Sequence, residues 1–242
     1  MKDTKSYLSK IVQDMPDSGI KDFFDVANTM EGALSLGVGE PDFPTPEHVR
    51  EAAIASIKKG DTKYTDNRGT VELRAAAADY LTKFDLHYDK QDEILITMGA
   101  SEGIDLALRT LVNPGEEVLV AEPSYVSYIP CIELCGGVPV SLKLRAENKF
   151  RLTREQLEEK ITEKSKVLLI SYPNNPTGAI MEKEDLEAIA EVVKKHDLFV
   201  LSDEIYAELT YLDNHVSIAS IPGMRERTIV INGFSKSHAM TG

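Results

Sequence analysis

Residues 228–242 read TIVINGFSKSHAMTG, and they combine a short buried strand with a lysine that directly follows it. The β-branched run at 228–232 is typical of a strand covered on both faces, and Gly233 ends it. Lys236 then lies just past the strand. A lysine in such a place is usually a solvated loop residue, but a buried amine with a lowered pKa can bind a carbonyl group covalently. The sequence upstream distinguishes these interpretations.

Short apolar runs followed by polar or glycine-bearing turns recur from residue 94 onward. Strands are predicted at 94–98, 118–121, 138–142, 167–171, 198–202 and 228–232. Stretches with a helical spacing of apolar residues lie between most of them. This alternation favours an α/β fold, with an open, mostly parallel sheet and helices on both faces.

Helices are predicted from their caps and from their apolar faces. One covers 46–59, with Thr45 as N-cap and Pro46 in the first helical position, and the next covers 71–84. A capping box at Thr153 and Gln156 begins a later helix, with Leu152 and Leu157 as a hydrophobic staple. The faces predicted to be apolar are Val49, Ala52, Ala53 and Ile57; Ile104, Leu108, Leu111 and Val112; and Leu186, Ile189, Ala190 and Val193.

Composition and charge exclude several classes of function. The 242 residues are 42% apolar, enough for a sizeable core, and the formal charge of −13 disfavours nucleic acid and anionic membranes as partners. No apolar stretch approaches a membrane span and the N-terminus lacks an apolar signal core, so a cytoplasmic protein is expected. Cys131 and Cys135 are predicted to be buried apolar residues, and no metal site is expected.

Two segments before the regular region remain open to interpretation. Residues 1–31 show no sustained period and are predicted to form an arm or a peripheral helix. Residues 34–46, LSLGVGEPDFPTP, follow a turn-rich path that suits either an inter-domain linker or a close approach of Gly37 and Gly39 to a ligand.

Polar, glycine-bearing or aromatic groups follow five of the predicted strands, and parallel strands bring such groups to one edge of a sheet. Gly99, Ala100 and Ser101 open a helix, where free N–H groups and the positive end of the dipole can bind a phosphate. Tyr125 offers a ring face for stacking. These groups favour a flat, phosphorylated ligand.

A carboxylate and two hydrogen-bonding side chains follow the later strands. Asp203 lies at the end of an apolar strand, where a protonated ring nitrogen would be a natural partner for it. Tyr206 and Asn175 can donate to a ring oxygen, and Lys236 supplies an imine nitrogen. Taken singly, each of these residues also has an ordinary structural interpretation. Asn175 suits a turn, Asp203 suits a helix N-cap and Tyr206 suits the core. Residues 99–101 suit an ordinary helix start. Together they indicate a carbonyl-bearing heteroaromatic coenzyme.

Six motifs carry a family resemblance: GEPDFPTP, YTDNRG, MGASEG, YPNNPTG, SDEIY and FSKSHAMTG. In this order they resemble the class I aminotransferases, the pyridoxal 5′-phosphate (PLP) enzymes of fold type I. The resemblance implies PLP as cofactor, amino acid and 2-oxo acid substrates, a homodimer, and a sheet of the seven-stranded type. It also implies that 1–45 form an N-terminal arm with part of a small domain, and that 46–242 form a PLP-binding large domain, incomplete at its C-terminal end.

The resemblance also implies a role for each candidate residue. Lys236 would form the Schiff base and move the proton from the substrate Cα, and Asp203 would pair with the pyridinium nitrogen. Asn175 and Tyr206 would hydrogen-bond the ring 3-oxygen, Asn175 would also border the substrate, and Tyr125 would lie over the ring. The remaining members are Gly99, Ala100 and Ser101 at the phosphate, Gly39 at the substrate carboxylate, and Tyr64 at the phosphate of the neighbouring subunit.

Two alternatives to an aminotransferase remain open on the sequence alone. A PLP-dependent lyase of the same fold would share the site, because the outcome depends on which bond the pocket aligns. A truncated, non-catalytic PLP-binding fragment is the other alternative. It is considered because the family's arginines for the phosphate and the substrate carboxylate would both fall beyond Gly242.

Overall fold

The computed structural model describes residues 4–16, 26, 29–30, 32, 39–211 and 215–242. Gly37 and about half of the predicted N-terminal arm lie outside the described residues. The described part of the arm contains a 3₁₀ turn (Thr4–Tyr7) and helix α1 (Lys10–Asp14). The division at residue 45 stays a prediction.

Five short apolar runs form one parallel sheet. The strands are β1 (Glu117–Glu122), β2 (Val138–Lys143), β3 (Ser165–Ser171), β4 (Phe199–Asp203) and β5 (Thr228–Ile231). Their order is β2-β1-β3-β4-β5, and every pairing is parallel. The predicted α/β fold is therefore confirmed. Because β1 lies between β2 and β3, the topological switch point falls between the carboxyl ends of β1 and β3, where open α/β sheets bind ligands.

Helices cover both faces of this sheet. The remaining helices of the described residues are α2 (Glu47–Lys59), α3 (Val71–Leu81), α4 (Gly99–Leu111), α5 (Tyr128–Leu134), α6 (Arg154–Lys160), α7 (Lys183–Lys195) and α8 (Phe234–Ser237). Short 3₁₀ turns lie at Thr82–Phe84, Ala146–Asn148, Ile218–Ser220 and Arg225–Arg227.

Two apolar cores lie on opposite faces of the sheet. Leu119 and Leu168 pack in one core with α6 and α7, and Val118 and Leu169 pack in the other with α4 and α5. Neighbouring residues of one strand thus enter different cores, which explains why the strands are apolar throughout. The predicted capping box at Thr153 and Gln156 is confirmed. The apolar faces predicted around Ile104 and Leu186 are buried as expected.

Two predictions about residues 45–59 are wrong. Thr45 does not cap α2, because its hydroxyl donates to the Ala239 carbonyl oxygen at 2.5 Å and Pro46 occupies the N-cap position. The predicted apolar face of α2 is not buried either, since Ile57 is 69% exposed and the helix has no buried residue.

The strand predicted at 94–98 is also wrong. Ile96 donates its N–H to the Arg68 carbonyl oxygen at 2.9 Å, but this segment pairs with no strand among the described residues. Residues 94–96 and β5 instead line a shared groove of about 490 Å³. A β-strand needs a neighbouring strand at about 4.8 Å to form its hydrogen-bond ladder. Residues 94–96 and β5 are separated by the groove and do not form such a pair.

No helix within the described residues is both long enough and apolar enough to cross a bilayer. Cys131 and Cys135 lie on and just after α5, and both are half-buried free thiols.

We expect Leu168→Ala to lower the free energy of unfolding by about 2–5 kcal/mol, because it opens a cavity at a residue that is fully buried in β3. Leu106→Ala is the matched control, since Leu106 is 42% exposed on α4 and should cost less than about 1 kcal/mol. Urea unfolding of both variants measures the difference. Equal losses would contradict this account of the sheet.

Candidate active site

The carboxyl ends of β1 and β3 meet at the switch point through a hydrogen bond. Asn174, which is 5% exposed, donates from Nδ2 to the Pro123 carbonyl oxygen at 3.3 Å. Its Oδ1 accepts from the Thr177 N–H at 3.1 Å and from the Thr177 hydroxyl at 2.8 Å. Asn174 is therefore the turn residue of the NNPTG motif, which leaves Asn175 free for another role. Sequence reasoning missed Asn174, although an Asn that bonds its own turn is a known signal.

Asn175 and Tyr206 line one cavity at this edge of the sheet, of about 400 Å³. Tyr206 also lines an adjoining cavity of about 560 Å³ together with Gly39 and Lys236. Tyr206 is half-buried, so the alternative in which it is a core residue does not describe its position. The structure thus brings four of the predicted site residues to two cavities that share Tyr206.

Asp203 is the last residue of β4 and is 4% exposed. Its Oδ1 accepts the Ile205 N–H at 3.2 Å, and its Oδ2 accepts the Tyr128 hydroxyl at 2.6 Å. Burial raises the pKa of the Asp203 carboxyl, and the two hydrogen bonds oppose that rise. A turn rather than a helix follows Asp203, so it is not a helix N-cap.

Tyr128 is a functional candidate that the sequence reasoning missed. It is 1% exposed on α5, and its hydroxyl holds the Asp203 carboxylate. Burial, followed by the neighbouring Asp203 charge, raises the pKa of Tyr128 far above its usual range, so the hydroxyl stays protonated as a donor. The Tyr125 ring packs edge-on against the Tyr128 ring, with centroids 5.6 Å apart. Only the tertiary fold, and no local spacing, brings Tyr128 to Asp203.

Lys236 lies on α8, the single helical turn after β5, and is half-buried. Its Nζ donates a hydrogen bond to the Gly39 carbonyl oxygen and lies 5.7 Å from the centroid of the Tyr206 ring. Burial raises the pKa of Tyr206, with smaller contributions from the charges of Asp203 and Tyr125. Tyr206 therefore lies near the Lys236 amine, and the Asp203 carboxylate is close enough for its charge to act on the phenol.

The start of α4 contains the residues predicted to bind a phosphate. Gly99 has φ +81°, in the left-handed region that favours glycine, and it opens the helix, with Ala100 and Ser101 following it. The N–H groups of a first helical turn have no acceptor within the helix. The Glu102 carboxylate accepts the Met98 N–H, and the exposed Ser101 hydroxyl adds a donor.

Tyr64 stands apart from the other predicted site residues. It is fully exposed and lines neither cavity. Its loop is held by an ion pair of 2.8 Å between Asp66 and Arg68. The buried Arg74 also holds the loop, because its Nε donates to the Gly69 carbonyl oxygen at 3.1 Å.

Comparisons with known proteins identify the family. Residues 31–242 match the family described as Aminotransferase class I and II. The chain belongs to this family. It is similar to the Bacillus subtilis (strain 168) protein YugH, with 53% identity over 98% of this chain and 62% of YugH. It is also similar to aromatic-amino-acid aminotransferase 2 of Thermococcus litoralis, with 46% identity over 97% of this chain and 61% of the relative.

A solved structure of this family has the same fold. The aromatic aminotransferase from Pyrococcus horikoshii OT3 superposes with a TM-score of 0.86 at 44% identity, over 92% of this chain and 60% of that protein. The chain thus spans about three fifths of the length of these aminotransferase relatives. Members of the family are PLP-dependent.

We expect Asp203→Asn to stabilise the coenzyme-free protein at neutral pH. A carboxyl whose pKa is raised by folding binds its proton more tightly in the folded state, so its ionised form destabilises the fold. The stability gained by Asp203→Asn is therefore complete when the pH lies above the pKa that Asp203 has in the folded protein. It disappears as the pH falls below the unfolded value of about 3.8.

Urea unfolding of wild type and variant at about pH 7 and about pH 4 measures this gain. Asp92→Asn is the control, because the Asp92 side chain is 84% exposed, and it should change the midpoint at neither pH. A loss of stability in Asp203→Asn at neutral pH would contradict the expectation.

Proposed function

We propose that this chain binds PLP at the carboxyl edge of its sheet and that it works as an aminotransferase, which moves an amino group between an L-amino acid and a 2-oxo acid. The observation that carries the proposal is the position of Tyr206. Its ring lies 5.7 Å from the Lys236 amine, and the charge of the buried Asp203 contributes to the raised pKa of its hydroxyl. An amine, a phenol and a buried carboxylate at one edge of the sheet suit a flat ring that carries an aldehyde and a basic nitrogen.

The donor set fits PLP. Each Asp203 oxygen accepts one hydrogen bond from the protein, and a carboxylate oxygen can accept two, so capacity remains for a ring N–H⁺. Asn175 and Tyr206 border the same cavity and can both donate to a ring oxygen. The open first turn at Gly99, Ala100 and Ser101 suits the phosphate. Tyr125, whose ring packs edge-on against that of Tyr128, would lie over the coenzyme ring.

Lys236 has two roles in this proposal. PLP, when bound, supplies an aldehyde for covalent attachment and a ring that accepts electrons from the substrate Cα. The Lys236 amine would anchor it and, once displaced by substrate, would take the proton from the substrate Cα as a general base and then donate it, as an acid, to the carbon of PLP that had carried the aldehyde. Asp203 favours the protonated ring nitrogen, because a buried carboxylate prefers a cationic partner. Gly39 and Asn175 would border the substrate carboxylate.

We expect covalent labelling to identify Lys236. Wild-type protein treated with PLP and then with borohydride should gain the mass of one reduced coenzyme at Lys236, and Lys236→Ala should gain none there, as measured by peptide mass spectrometry. Lys58→Ala, which removes an exposed lysine of α2, is the control and should label as wild type does. Labelling of Lys236→Ala at the wild-type level would contradict the assignment.

Activity separates an aminotransferase from the alternatives. Formation of a 2-oxo acid from an amino acid should require an added 2-oxo acid acceptor. Product without an acceptor would indicate a lyase, and PLP labelling without product would indicate a non-catalytic PLP-binding chain. A cytoplasmic location is also part of the proposal, since the unbridged Cys131 and Cys135 suit a reducing compartment.

A homodimer belongs to the same proposal. Ile54 and Ile57 of α2 are 51% and 69% exposed, and Tyr64 and Met98 are almost fully exposed. An apolar helix face of this kind suits a partner surface. Because Tyr64 lines neither cavity of its own chain, it is available to the phosphate site of a second copy.

We expect Ile57→Asp to weaken self-association at least tenfold, because it places a charge in an apolar interface. Sedimentation equilibrium over a range of concentrations measures the dissociation constant. Ser56→Asp carries the same charge on another side of α2 and should associate as wild type does. A wild-type chain that remains monomeric at every concentration would rule out this part of the proposal.

A further inference from the structure

A buried carboxylate that the proposed chemistry does not use lies directly after Asp203. Glu204 is 1% exposed, and both of its oxygens have side-chain partners. Its Oε1 accepts the hydroxyls of Ser202 at 2.9 Å and Ser217 at 2.7 Å. Its Oε2 lies 2.8 Å from His215 Nε2. A carboxylate only accepts, so this imidazole nitrogen is the donor.

The partners of Glu204 are themselves fixed by packing. The His215 side chain is 7% exposed, and its ring packs edge-on against Phe84 with centroids 5.4 Å apart. Ser217 is fully buried, and its hydroxyl accepts the Ala219 N–H at 3.2 Å. Ala219 and Phe84 belong to one apolar cluster. The donors therefore hold their positions independently of the carboxylate.

Glu204 joins two stretches of chain, 202–204 and 215–217. Its N–H donates to the Ile231 carbonyl oxygen on β5 at 2.8 Å, and its own carbonyl oxygen accepts the Ala207 N–H at 3.0 Å. Tyr206 lies within that turn, two residues after Glu204. Glu204 is thus hydrogen-bonded to β5, to the turn that follows it and to the stretch at 215–217.

The side chains of Asp203 and Glu204 lie on opposite sides of the sheet. Asp203 is held by Tyr128, which belongs to the core with α4 and α5. Glu204 lines a cavity of about 40 Å³ with Ile170 and Leu186, which belong to the other core. Successive side chains of a strand point to opposite faces, so one strand end can carry a site carboxylate and a structural carboxylate side by side.

We propose, on the basis of the proposed function, that Glu204 and His215 are a positioning pair that holds Tyr206 and Asp203 in place for PLP without touching it. A buried carboxylate that loses one donor keeps an uncompensated charge. The turn at residues 204–207, which follows this carboxylate, then opens and admits water. The small cavity beside Glu204 can hold about one water molecule, so a variant can hydrate the carboxylate while the rest of the fold stays intact.

Two variants of His215 test the pair. His215→Leu removes the donor, whereas His215→Gln keeps an N–H donor that can reach Glu204. Hydrogen exchange of the Ala207 and Leu209 amides is measured on the coenzyme-free chain, with the Leu157 amide on α6 as the reference for global unfolding. PLP affinity is measured separately by titration of the coenzyme absorbance.

We expect His215→Leu to exchange at Ala207 and Leu209 about tenfold faster relative to Leu157, and to bind PLP about tenfold more weakly, since a hydrogen bond to a charged group of this kind corresponds to at least a tenfold change. His215→Gln should stay within about threefold of wild type in both measurements. If the pair only stabilised the fold, His215→Leu would speed exchange at Leu157 as much as at Ala207 and Leu209. The PLP affinity of the folded protein would then stay unaltered.

The inference is overturned if the relative exchange of His215→Leu equals that of wild type, or if exchange rises while PLP affinity stays the same. A wild-type chain that does not bind PLP at all would contradict the proposed function instead. Exchange at Ala207 and Leu209 would still decide whether the pair holds this turn.

Discussion

The parallel register of β3, β4 and β5 determines where four of the candidate site residues lie, namely Asn175, Asp203, Tyr206 and Lys236. Ser171, Asp203 and Ile231 are register partners at the carboxyl ends of the three strands. Asn175, Tyr206 and Lys236 follow these positions by four, three and five residues, and so all of them emerge at the same edge. A one-residue slip of β4 would exchange the faces of Asp203 and Glu204. It would place Glu204 on the face where Asp203 now lies, and Asp203 on the opposite face.

Burial of Asp203 has opposite effects on stability and on the proposed chemistry. The free protein holds a carboxylate with only two hydrogen-bond donors in a place where ionisation is costly. That same place makes a cationic ring nitrogen a favourable partner. Glu204 next to it accepts hydrogen bonds from three side chains, one more donor than Asp203 has. The difference between the two carboxylates lies in their partners, since their burial is nearly equal.

The sequence was sufficient to predict the five parallel strands, the cap at Thr153 and the convergence of Asn175, Tyr206 and Lys236, because these depend on local apolar runs and on the residues directly after each run. It was not sufficient for Tyr128, whose hydroxyl meets a carboxylate 75 positions away. The pairing of Glu204 with His215 was missed for the same reason. The errors at 94–98 and at α2 also have one physical cause: a strand needs a partner and an apolar face needs a cover, and neither is encoded in the segment itself.

The failure of 94–98 to form a strand does not remove the proposed phosphate cradle at the start of α4. The cradle depends on the first turn of α4, which begins at Gly99 through its own backbone geometry and through a hydrogen bond that the Met98 N–H donates to the Glu102 carboxylate. The far side of α4 is anchored by Ile104 and Leu108, which are buried against the sheet. Packing of the helix, and not pairing of the preceding segment, therefore fixes the direction in which its N-terminus points. The anion site can form on this chain whether or not the groove beside β5 is filled.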